Sequence, residues 1–221
     1  TFVFFAVISE LISGYMLAQA FMKEFPGKAI FRTIHTLPLI MAPIIVGSVW
    51  KLMTTPSIGI IPHYLDEWFG ITMNIATSVP VAFMTIIIMD IWHWTPLVTL
   101  TLIAALVSLP RDPFEQAQID GAGKRQIFWH ITLPMIAPAI VATVFIRLMD
   151  ALRTVDEVWM LTGGGPGSAT RILGVHIFKE VFPKTNYGYG STISVVVLYL
   201  TIVSCWLLYV TMLAPRNKNR G

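Results

Sequence analysis

PRDPFEQAQIDGAGKRQIFWHITLPMIAP, residues 110–138, is the longest charged passage of a 221-residue chain and has a strongly apolar segment on either side. Arg111, Asp112, Glu115, Asp120, Lys124 and Arg125 fall within 15 positions, in a chain that is only 12% charged. Asp112 offers a helix cap, Glu115, Ala117 and Ala122 favour helix, and Gly121 interrupts the run where a tight turn or close contact is allowed. The pattern predicts two short helices around Gly121. Ile127, Phe128 and Ile131 share one helical face, giving the second helix an apolar side to lay on a neighbour. Such a passage is either an ordinary loop of a membrane protein or a helix that projects from the bilayer into a groove on a soluble partner.

The flanks decide the class. Hydrophobic residues make up 55% of the chain and its mean hydropathy is +0.71. Several runs reach the roughly 20 residues that a helix needs to cross a hydrocarbon core of about 30 Å. The net charge of +3 does not point to nucleic acid, because the basic residues sit at the ends of apolar runs rather than on a stripe with interleaved aromatics. Cys205 is the single cysteine and lies in an apolar run, which excludes a disulfide framework or a thiolate metal site. The chain opens at Thr1 already inside an apolar run, so at least one more membrane helix is expected upstream.

Five spans are expected: about 2–21, 31–53, 71–109, 133–152 and 191–213. Pro38 and Pro43 predict a kink in the second. The third is long for one crossing, so its early part is expected to lie in the interface. Three cations follow the first span (Lys23, Lys28, Arg32), three lie in the central passage and three in the tail (Arg216, Lys218, Arg220). Five others, Lys51, Arg153, Arg171, Lys179 and Lys184, fall on the opposite side. Positive charge is retained in the cytoplasm, so five crossings place the central passage, residues 110–130, there and residues 154–190 outside. The GGGPG run at 163–167 lacks the Lys and Ser/Thr of a phosphate loop and reads as external turns. Residues 172–182 suggest a short interfacial helix.

Polar residues inside the spans mark function. Glu10 must face other helices or water. Asp90, Trp92, His93, Trp94, Thr95 and Pro96 break the third span near its middle. Arg147, Asp150 and Arg153 recur every three residues on one face of the fourth span, as a structural ion network or as the wall of a cavity. Thr154, Asp156, Glu157 and Trp159 follow directly. Asp90, Trp92, Trp94, Asp150, Arg153, Thr154 and Asp156 are therefore candidates for the lining of a pore or substrate path, with cross-bundle bonding of Asp90 as the plainer alternative.

Glu115, Gln116 and Ala117, then Gly121, then Ile131, Thr132, Leu133 and Pro134 resemble the signature loop of ABC importer permeases, with Gln116 where that pattern usually has Ala. Residues 89–122 and VWMLTGGGPGSAT (158–170) look like the carbohydrate-uptake branch, in particular the MalF-type half of the maltose permease, over essentially the whole chain. The resemblance implies an all-α polytopic membrane protein with the type I (MetI-like) importer fold, a single transmembrane domain over 1–221, in the bacterial inner membrane. It implies a second homologous permease subunit, two cytoplasmic nucleotide-binding subunits that carry ATP and Mg, and an external sugar-binding protein or lipoprotein. This chain would hold no cofactor, metal or catalytic residue of its own. Glu115, Ala117, Asp120, Gly121 and Lys124 would form the ATPase-coupling element, with Glu115 in the ion-pairing role. The expected cargo is a disaccharide such as trehalose or maltose.

Three alternatives stand beside this. Glycerol phosphate would use Arg147 and Arg153 as phosphate partners. A secondary transporter would need a proton relay through Glu10, Asp90 and Asp150, and no internal repeat is visible. A membrane enzyme would need a catalytic cluster, whereas His35, His63, His93, His130 and His176 stand apart in the sequence.

Overall fold

The structure, a computed structural model, describes residues 2–213. Thr1 and the basic tail with Arg216, Lys218 and Arg220 lie outside the described residues. Among the described residues every regular element is helical: α1 (Phe2–Met22), α2 (Lys28–Ile40), α3 (Pro43–Thr54), α4 (Ile60–Phe69), α5 (Val79–Val107), α6 (Asp112–Ile119), α7 (Lys124–Ile127), α8 (Leu133–Arg153), α9 (Asp156–Thr162), α10 (Leu173–Val181) and α11 (Tyr187–Leu208). Among the described residues four stretches are long and apolar enough to span a bilayer, and a fifth is gained if the bent pair α2–α3 counts as one span.

The bundle is built on α1, α5 and α8. On α1 the buried residues Phe2, Ala6, Glu10, Gly14 and Ala18 recur every four positions, so they form one ridge. Its small members let α5 approach closely: a Cβ on Gly14 would stand 2.6 Å from Cγ1 of Val98. On α8, Thr143, Arg147 and Ala151 form a similar buried ridge. These three faces place Glu10, Asp90 and Arg147 at one depth.

The second span is broken rather than kinked. Helices α2 and α3 meet at 105° across Met41 and Ala42. Pro43 starts α3 and supplies no backbone N–H to continue α2. At about 1.5 Å per residue, α2 and α3 measure about 20 and 18 Å, and neither spans the hydrocarbon alone. Instead α2 follows the half of α5 nearer α6, where His35 Nε2 lies 3.1 Å from the Thr99 hydroxyl. Helix α3 then turns off against α9; a Cβ on Gly47 would stand 2.5 Å from the carbonyl oxygen of Glu157. Residues 70–78 form an irregular entry to α5, where an interfacial start to the third span was expected.

Two helices, α6 and α7, flank Gly121 as expected, but only α6 stands alone. Helix α6 ends on Gly121 at φ 78°, with Gly121 N–H bonded to Gln118 O (3.1 Å) and Ala122 N–H to Ala117 O (2.9 Å). This paired closure needs a left-handed residue, which is the glycine's task. Gln126 accepts from Gly123 N–H at 2.9 Å and starts α7. Helix α7 does not stop: it runs through a π-helical turn at Phe128–Thr132 into α8, making one 30-residue helix, Lys124–Arg153. Pro134 cannot donate to His130, and the wide turn just before it absorbs that lost bond, with Leu133 N–H reaching Phe128 O.

Candidate functional site

At the depth where the three ridges meet, Arg147 is buried and forms a fork with Glu10: Nε to Oε2 at 2.6 Å and Nη2 to Oε1 at 2.7 Å. Nη2 also donates to Asp90 at 3.0 Å and Nη1 to Asp150 at 2.8 Å. The guanidinium carbon lies 4.5 Å from the centre of the Trp94 ring. One cation thus holds carboxylates from α1, α5 and α8 and stacks on an aromatic face, using the planar, multi-donor geometry that lysine lacks.

A second buried pair lies beside it. His93 Nδ1 stands 2.6 Å from Glu157 Oε1, linking α5 to α9. Of the isolated histidines in the sequence, His93 therefore acquires a carboxylate partner 64 residues away. Three polar atoms in this region, Asp90 Oδ1, Glu157 Oε2 and Trp94 Nε1, have no hydrogen-bond partner among the described residues.

Toward the end of the bundle remote from α6, a cavity of about 290 Å³ is lined by Pro43, Trp94, Asp150, Arg153, Thr154, Asp156 and Glu157, among others. Pro43 reaches it because α3 breaks away from α2 there. Among the expected path residues, the structure brings together Trp94, Asp150, Arg153, Thr154 and Asp156. Asp90 lies buried on Arg147 instead of on the cavity wall. Trp92 sits on another face of α5, with its ring 6.0 Å from that of Trp50 on α3. Arg153 is 79% exposed and only loosely tied to Asp150 at 3.7 Å.

Two participants escaped the sequence reading as a pair: Glu10 as the partner of Arg147, and Glu157 as the partner of His93. Helix α9 itself carried a signal. Asp156 and Glu157 form an acidic first turn and Gly163 (φ 60°) closes the helix.

In the central passage Glu115 is exposed in the first turn of α6, Ala117 is buried on the other face, and Asp120, Gly121 and Lys124 lie in the turn into α7. A second cavity of about 420 Å³ lies here, lined by Asp120, Gly121, Gln126 and His130 among others. Among the described residues, no group of three or more His, Cys, Asp or Glu is arranged to hold a metal ion.

A bundle of apolar spans, joined by a short polar helix and enclosing a charged interior, is the architecture of a polytopic membrane protein. The chain belongs to the family of binding-protein-dependent transport system inner membrane components, matched over residues 10–219. It is 34% identical over 209 residues to the trehalose/maltose transport system permease protein MalF of Thermococcus litoralis, covering 91% of this chain and 68% of that protein. It is 26% identical over 194 residues to the multiple sugar-binding transport system permease protein MsmF of Streptococcus mutans, covering 88% and 67%. The chain therefore spans about two thirds of the length of these relatives. The fold also matches a chain of a bacterial alginate ABC transporter crystallised with an alginate pentasaccharide-bound periplasmic protein, with TM-score 0.79, 21% identity, and coverage of 94% of this chain and 74% of that one.

Proposed function

We propose that this chain is one permease subunit of an ATP-driven, binding-protein-dependent sugar importer. It would form half of the translocation pathway beside a second, homologous permease subunit. The observation that carries the reading is α6: an exposed, polar helix of 8 residues anchored on Ala117 and joined through one turn to a continuous 30-residue helix that ends at the polar cavity. A push on α6 would thus be delivered by a rigid rod to the depth of Arg147 and Asp150.

In this reading α6 lies on the cytoplasmic side and enters a cleft of one of two nucleotide-binding subunits, where ATP and Mg2+ reside. Glu115 and Asp120 would meet cations there, with Ala117, Gly121 and Lys124 shaping the contact. An external sugar-binding protein would deliver cargo to the opposite end, where residues 154–190 form the external loop. Trp94 offers an aromatic plate, while Asp150, Thr154 and Asp156 offer hydrogen-bond partners for hydroxyl groups. Asp90 and Trp92 would join the path only when the helices rearrange.

The cargo we favour is a neutral disaccharide such as trehalose or maltose, supported by what the Thermococcus litoralis relative is named for. Glycerol phosphate is the weaker choice, since Arg147 is spent on three carboxylates and the cavity wall is acidic. The test is the ATPase rate of the assembled transporter with its binding protein and a panel of trehalose, maltose, monosaccharides and glycerol phosphate. Stimulation by a disaccharide is expected; stimulation by glycerol phosphate alone, or by none of the panel, would overturn the assignment.

A further inference from the structure

An apolar groove of about 620 Å³ runs between α8, α10 and α11, with Met149, Leu152, Ile177, Phe178, Val197 and Leu198 on its walls. It is distinct from the polar cavity, although Arg153 borders both. Helix α11 faces outward along nearly all its length: only 6% of its most apolar stretch is buried. The groove therefore opens sideways between two helices that are long and apolar enough to cross a bilayer. Its rim carries a cation: Arg153 ends α8, is 79% exposed, and among the described residues has as its ion pair only the 3.7 Å contact with Asp150. An apolar slot that ends at an exposed guanidinium matches the two parts of an anionic lipid.

We infer that this groove holds an acyl chain of an anionic phospholipid whose phosphate is bound by Arg153. Given the orientation proposed above, the lipid belongs to the outer leaflet. Phosphate is a better partner for Arg153 than a sugar hydroxyl because the arginine forks onto two phosphate oxygens. The assignment gives Arg153 a task separate from cargo recognition. It also places a lipid against the junction between α8 and α10, where Gly174 packs on the carbonyl of Thr154.

The experiment is native mass spectrometry of the intact transporter, isolated with its full-length chain and equilibrated with equal phosphatidylglycerol and phosphatidylcholine. Wild type should retain phosphatidylglycerol in preference, Arg153→Gln should reduce that preference about fivefold, and Arg153→Lys should restore part of it. A photoreactive side chain at Leu198 should label lipid. Equal retention of the two lipids by wild type, or unchanged preference in Arg153→Gln, would overturn the proposal. Labelling of another polypeptide, or of a further segment of this chain, would assign the groove to a protein contact instead and equally overturn it. Lipid retention is read without any transport assay, so the groove and the importer assignment fail separately.

Discussion

Replacing Arg147 with Met tests the interior most directly. The side chain is 1% exposed and makes four short hydrogen bonds to three carboxylates. Met fills similar volume but leaves Glu10 and Asp90 fully buried without a cation, and breaking a buried ion pair from one side costs about 3–5 kcal/mol. Glu10→Gln keeps one acceptor for the guanidinium and leaves Asp90 and Asp150 in place, so its cost should be about 1–3 kcal/mol. The paired variant Glu10→Leu/Arg147→Met removes the bidentate contact from both sides. It should be less destabilised than the sum of its single variants by about 2 kcal/mol, as expected of contacting groups. The assay is unfolding of the full-length subunit in mixed micelles by graded SDS, followed by circular dichroism, for all members of the cycle. A loss below about 1 kcal/mol in Arg147→Met, or strict additivity in the cycle, would refute the view that Arg147 clamps α1, α5 and α8 together.

Two further outcomes follow from the same geometry. Glu115→Ala and Gly121→Ala should leave the chain in the membrane yet uncouple uptake from ATP hydrolysis, the glycine change through about 1–2 kcal/mol of left-handed strain; wild-type uptake per ATP in vesicles would contradict this. Gly47→Ala should push α3 off α9, because its Cβ would meet the Glu157 carbonyl oxygen at 2.5 Å, and should lower stability by about 1–3 kcal/mol in the same SDS titration; an unchanged midpoint would count against the α3–α9 contact.

By itself the sequence determined the medium and the layout. Apolar runs of bilayer length, charge gathered between and beyond them, and Gly121 after a helix-forming segment made the spans and α6 legible, because each depends on neighbours a few residues away. The isolation of Glu10 in an apolar helix also showed that it needed a partner. Only the tertiary structure decided which partner: Glu10 and Arg147 are 137 residues apart, and no local pattern links two ridges that meet through helix packing. For the same reason His93 read as isolated until α9 laid Glu157 against it, and Pro38 and Pro43 read as a kink until packing of α3 on α9 fixed a 105° break. Periodicity reveals which face of a helix is buried; the angle and depth at which two faces meet depend on shape across the whole bundle.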